Sequence, residues 1–224
     1  SYTHGAPAPG PRPSAAGRSR PAYDSAAAAA AFDSAGWTRG ADGMRQRGGT
    51  PMAFTLLVPS TSRPRVQMAT LMQEALRRAG VQVTVDQRDM PAFVAAMGAK
   101  TFDAAIQVFS NDPSPFGLRE QWGGVAARAK ESANYTGWSS PAFDAMLDSA
   151  ETAPPAAVGG LLQRALDVLR DDAPAVFLVQ PRSAMALHAR VRPVGIRDDG
   201  WWTDLADWTI EPAARLPRDA APRP

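Results

Sequence analysis

The sequence predicts an α/β fold, a mixed sheet with a parallel βαβαβ core and flanking helices, and three observations between Phe54 and Asp112 carry that prediction. The run Phe54-Thr-Leu-Leu-Val58 is apolar, too short for a buried helix and closed by Pro59, so it reads as a buried strand. Val81-Gln-Val-Thr-Val85 alternates apolar with polar, the period of a half-buried strand, and Ala104-Ala-Ile-Gln-Val-Phe109 predicts a third. Between the strands lie two stretches of helical period. One starts near Arg65 and carries Ala69, Met72, Leu76 and Ala79, with Gly80 as its stop; the other starts at Asp89-Met-Pro91 and ends at Gly98. Strands joined through helices must run parallel, with right-handed crossovers.

In an open sheet of this kind ligands sit outside the carboxyl ends of the strands. That rule selects two loops, Pro59 to Arg63 with Ser60, and Ser110 to Pro115 with Ser110, Asn111 and Asp112. The second loop has an alternative use, an Asx-turn around Pro113. Tyr135 and Trp138 either line a cleft or pack in the core, packing being the commoner use of such rings.

The rest of the chain follows in order. Ser1 to Pro21 is rich in Pro, Gly, Ser and Arg without hydrophobic period, an irregular surface segment. Asp24 or Ser25 caps an alanine-rich helix over 24–35, and Trp37 to Pro51, with four glycines, reads as a turn-rich connector. Residues 1–53 thus form an irregular first segment with one short helix, and 54–190 the α/β lobe. Phe116 to Lys130 reads as irregular with a short helix. Ser140-Pro141 starts a helix with Phe143, Met146, Leu147 and Ala150 on one face, and Ala156 to Arg170 is another. Ala175 to Gln180 and Ala184 to Ala189 read as a hairpin around Pro181-Arg-Ser183. The tail, 191–224, differs in kind. Trp201, Trp202 and Trp208 need a surface to pack on.

Composition narrows the function classes. The chain has 224 residues, enough for a sizeable core, and a net charge of only +2, so no partner of opposite charge is implied. Lysine occurs only at Lys100 and Lys130; the arginines that supply the remaining positive charge are dispersed, which weighs against a nucleic-acid footprint. There is no cysteine, which excludes disulfides and thiolate metal sites. No apolar run reaches the ~18 residues of a membrane span. His4 and His188 lack metal-site spacing, and no Gly-x-Ser-x-Gly elbow or phosphate loop occurs. Asp171-Asp172 and Asp198-Asp199 are adjacent pairs whose side chains diverge, better suited to capping than to catalysis. No catalytic residue, metal or cofactor is expected.

The order of motifs resembles a family. YDSAAAAAAFDSAGW, PMAFTLLVPS, RRAGVQVTV, FDAAIQVFSNDPSPF, NYTGWSSPAFDAMLDSA and DDAPAVFLVQPRSAMALHARVRPV together resemble the C-terminal part of extracellular solute-binding proteins of the peptide/nickel type, the receptors of ABC importers. The resemblance runs from about Gly5 to about Glu211. It implies a periplasmic-binding-protein-like (type II) lobe: the second lobe of a clamshell that captures a peptide-class or other small solute by closure. The first lobe is absent from this sequence, which carries neither an initiating Met nor a signal peptide and reads as a fragment. The tail would return to that missing lobe. The implied partners are the ligand, a membrane permease and the first lobe, with no nucleic acid, and the implied location is extracytoplasmic. Two rivals stand beside it, a cytoplasmic ligand-sensing domain of a transcription regulator and a small α/β hydrolase. In peptide-binding members a carboxylate four residues before the loop proline pairs with the peptide's α-ammonium. Counting back from Pro113 reaches Phe109, which has no charge; Asp112 could substitute if the loop is shifted, but it directly precedes the proline and should point elsewhere. The resemblance therefore makes Phe109, Ser110, Asn111, Asp112, Ser60 and Trp138 the expected ligand-binding residues and a modified or non-peptide solute the expected ligand.

Overall fold

The computed structural model describes residues 23–109, 115–179, 186–193 and 204–220, apart from the side chains of 218 and 220. The expectations for Ser1 to Pro21, for Ser110 to Asp112, for the hairpin turn and for Trp201 and Trp202 lie outside the described residues.

The chain opens with α1 (Ser25–Ser34), then β1 (Thr38–Arg39), β2 (Arg45–Arg47) and β3 (Thr50–Pro51), which form a small antiparallel sheet. The βαβαβ unit follows: β4 (Ala53–Pro59), α2 (Arg63–Arg78), β5 (Gln82–Arg88), α3 (Met90–Ala99) and β6 (Ala104–Ala105). Both β5 and β6 pair with β4 in parallel, giving the order β5-β4-β6. Side chains alternate across a strand, so the unbroken Leu56-Leu57-Val58 run has to bury both faces. Leu56 and Val58 pack with Ala69 of α2 and with Val81, Val83 and Ile106. Leu57 points the other way, onto Phe93, Ala96 and Met97 of α3. Each fully buried Leu, Val, Phe or Met side chain among these contributes about 1.5–3 kcal/mol.

Helix ends follow the capping chemistry of the sequence. Asp24 Oδ1 accepts from the Ala27 amide at 2.8 Å, and Asp89 Oδ1 accepts from the Ala92 amide at 2.8 Å. Gly80, at φ +89°, takes the turn after α2. Gly98 does not end α3; the helix continues to Ala99, and Lys100 adopts the left-handed conformation instead.

The third strand is shorter than its apolar pattern predicts. The Ile106 amide still donates to the Leu57 carbonyl at 3.1 Å, but the next rung would need an N–H at Pro59, which has none. The Pro59 carbonyl accepts from Ser62, and the Val108 amide turns to its neighbour Gln107 Oε1. The ladder therefore stops.

Beyond it, α4 (Pro115–Trp122) and α5 (Gly124–Arg128) replace the irregular stretch, because Leu118 and Trp122 bury on one side. Ser140 Oγ caps α6 (Pro141–Thr152), which lies against α7 (Pro155–Asp172) in a second core of Phe143, Leu147, Leu162, Ala165 and Leu169. The expected strand after α7 is absent over its described residues. Ala175 and Phe177 pack on the helical core while Val176 and Val179 are exposed, so the alternation is real, but no ladder forms. The second expected strand likewise has no ladder over 186–188. In the tail, β7 (Val191–Arg192) pairs antiparallel with β8 (Thr209–Ile210), the Arg190 guanidinium meets the Asp219 carboxylate, and Trp208 is half-buried.

The connector of Trp37 to Pro51 holds the largest departure from expectation. Arg45, within β2, is 1% exposed. Its Nε donates to the Ala79 carbonyl at 3.0 Å; Nη1 donates to Asp33 Oδ1 at 2.6 Å and the Trp37 carbonyl at 2.5 Å; Nη2 donates to the Ala29 carbonyl at 3.3 Å. The guanidinium also lies 4.9 Å from the Phe32 ring centre. One buried cation thus fastens α1 and the small sheet to the C-terminal end of α2, where backbone carbonyls carry partial negative charge.

Candidate functional site

The carboxyl ends of β4 and β5 are tied together, the Ser60 amide donating to the Arg88 carbonyl at 2.6 Å. Ser60 is exposed there, and Ser62 precedes α2 without a side-chain capping bond. Two charged groups at this edge are engaged, while Arg63, the first residue of α2, is exposed. Asp89 caps α3, and Arg88 pairs with Asp86 at 2.8 Å.

Phe109 lies three residues past the last β6 rung and is half-buried. Its ring centre is 5.7 Å from that of Trp122 and 6.5 Å from that of Tyr135. Phe109, Trp122 and Tyr135 are apart in the chain and meet only through tertiary folding. Trp138 is placed away from this group. Its ring meets Phe143 edge-on at 5.2 Å, and its Nε1–H donates to Asp172 Oδ2 at 3.2 Å. The turn carrying Tyr135 and Trp138 is built on Asn134, which is buried. Its Nδ2 donates to the Gly123 and Trp138 carbonyls, and its Oδ1 accepts from the Gly137 amide. The Asn134 side chain closes the turn by accepting from the amide three residues on, and its sequence signal is Asn-Tyr-Thr-Gly, an Asn followed by a Gly at positive φ.

Two shallow grooves lie elsewhere. One, of about 320 Å³, is lined by Thr55, Leu57, Asp86, Arg88, Thr101 and Asp103 on the α3 face of the sheet. The other, of about 300 Å³, lies between α2 and β5 and includes Gln73 and Val83. Neither includes Ser60, Phe109 or Trp138. Among the described residues no cluster of three acidic or histidine side chains is placed to hold a metal ion, and no helix is long and apolar enough to cross a membrane.

No curated protein sequence matches the chain. Solved structures do resemble it. The oligopeptide-binding protein AppA of Bacillus subtilis, in complex with a nonapeptide, superposes with a TM-score of 0.71 at 20% identity, over 84% of this chain and 38% of AppA. NikA of Brucella suis, in complex with Fe(III)-EDTA, gives 0.60 at 26% identity, over 73% of this chain and 34% of NikA. A periplasmic oligopeptide-binding protein of Thermotoga maritima, bound to mannohexaose, gives 0.62 at 20% identity, over 70% of this chain and 30% of that one. The chain thus spans about a third of the length of these relatives. The family described as bacterial extracellular solute-binding proteins, family 5 Middle, matches residues 1–127, more than half of the sequence, so the chain belongs to the family 5 bacterial extracellular solute-binding proteins.

Proposed function

We propose that the chain is the second lobe of a substrate-binding receptor for an ABC importer, capturing a small solute by closure against a first lobe and delivering it to a membrane permease. The observation that carries the reading is the family match over a parallel sheet whose carboxyl edge ends in Ser60 and Phe109. On this reading the protein acts outside the cytoplasm and performs no catalysis. Binding comes from a mostly apolar cleft with a few oriented polar groups.

The ligand class has to come from this chain's own edge, because the relatives carry solutes as unlike as a nonapeptide, an iron chelate and a hexasaccharide. The position expected to hold an ammonium partner is Phe109. Asp89 is engaged as a helix cap, so it does not replace the missing carboxylate. An ammonium group buried without a partner is disfavoured by about 3–5 kcal/mol. We therefore assign to the complete receptor a modified or non-peptide solute, with Phe109, Ser110, Asn111, Asp112, Ser60 and Trp138 as its candidate contacts and Phe109 offering an apolar surface. The test is competition on the complete receptor with free and N-acetylated di- to pentapeptides. Indifference to acetylation is expected. Tight binding of the free forms, abolished by acetylation and by Asp112→Asn, would overturn the assignment.

A further inference from the structure

The described residues hold cores that share no side chain. One is the sheet with α2 and α3; the other is the helical group of α4, α6 and α7. The links between them gather at one place. Tyr135 packs with the Leu57, Phe93, Ala96 and Met97 group on the α3 face of the sheet, while Trp122, 1% exposed, belongs to the helical core. Phe109 stands between these two rings, at 6.5 and 5.7 Å. Lys100, at the end of α3, adds a polar strap, its Nζ donating to the Ala127 carbonyl at 2.7 Å and the Ala129 carbonyl at 3.3 Å. The Trp122 Nε1–H is buried without a hydrogen-bond partner, so this ring is positioned by packing and not by a polar tether.

We propose that Phe109 is a conformational pin. Its ring couples the helical core to the sheet, and a solute that engages residue 109 acts on that coupling. The coupling itself is independent of the ligand. Its use by a solute rests on the proposed function, in which Phe109 is a ligand contact. Removing a ring that joins two otherwise separate cores should let the smaller one open alone, since packed units open with their own free energies.

The test needs no ligand, so its failure is distinct from a failure of the receptor assignment. Amide hydrogen exchange is followed by mass spectrometry in the full chain and in Phe109→Ala. The expected result is exchange at least about tenfold faster in α6 and α7, around Leu147, Leu162 and Leu169, with unchanged rates in β4 and β5. Phe109→Leu, which keeps apolar bulk, should give a smaller change with the same distribution, and it serves as the reading if the alanine variant does not fold. Equal acceleration in both cores, or failure of both variants to fold, would mean a single cooperative core, and no change in either would mean that the ring carries no coupling; each of these would overturn the proposal.

Discussion

Arg45 is the residue on which the attachment of α1 and the small antiparallel sheet to the end of α2 turns. Replacing it with Met keeps most of the stem and removes four hydrogen bonds and the contact with Phe32. Net values of about 1.5–3 kcal/mol for each charged hydrogen bond do not add, because the bonds share one guanidinium. The Asp33 share is small: its side chain is 59% exposed and is rehydrated when Arg45 leaves. The Ala29, Trp37 and Ala79 carbonyls lose a charged donor that no neighbouring side chain replaces. Together these terms give about 3 kcal/mol, at the low end of breaking a buried pair. Arg45→Lys retains charge but not the planar fork, so about 2 kcal/mol is expected. Asp33→Asn should cost under about 1 kcal/mol. Urea unfolding followed by far-UV circular dichroism measures all three. A cost below about 1 kcal/mol for Arg45→Met, or equal costs for Arg45→Met and Asp33→Asn, would refute the reasoning, the second by showing that the ion pair and not the carbonyl set matters.

Ala173, after α7, holds a left-handed conformation at φ 48°, ψ 48°, which costs an L-residue energy that glycine avoids. Ala173→Gly should therefore stabilise by about 0.5–1 kcal/mol in the same unfolding assay, and a loss of stability would count against the backbone reading. On α2, hydrogen bonds from Arg77 hold the Glu74 carboxyl below its ordinary value of 4.5, with the charges of Arg77 and Arg78 adding to the effect. A depressed folded-state pKa gives a contribution present above pH 4.5 and lost as pH falls through the lowered value. Carboxyl NMR titration should show the Glu74 midpoint rising toward the ordinary value in Arg77→Gln; an unmoved midpoint would exclude the pairing in solution.

The central unit is legible in the sequence because burial on both faces leaves an unbroken apolar strand, and because Asp24, Asp89, Ser140 and Gly80 sit where helix ends need them. What escapes reading depends on partners remote in the chain. The Ala104 to Phe109 pattern predicts a longer strand, yet its ladder ends at a missing N–H on Pro59, forty-odd residues earlier. Arg45 sits in a polar, glycine-rich stretch, and hydropathy treats any arginine there as solvated. Only the carbonyls of α1 and α2, brought together in space, give it reason to be buried. At the candidate site, strand order places Ser60 and Phe109 at the carboxyl edge. The meeting of Phe109 with Tyr135 and Trp122 needs the turn at Asn134, which Asn-Tyr-Thr-Gly signals locally, and the helix at Pro115, whose apolar pattern is interrupted; that the two bring their rings to Phe109 follows from neither.

Magnitudes also decide which charges at that edge are open to a solute. Redirecting Asp89 would uncap α3, at about 1 kcal/mol, and would leave the Ala92 amide without its acceptor. Redirecting Arg88 breaks only its pair with Asp86, in which the side chains are 41% and 30% exposed, and such pairs contribute about 0–1 kcal/mol. The cation is thus the cheaper of the two to recruit. On the proposed reading of this edge as a solute contact, recruiting Arg88 favours an anionic or neutral group over an ammonium, the same direction as the uncharged ring of Phe109 at the end of β6.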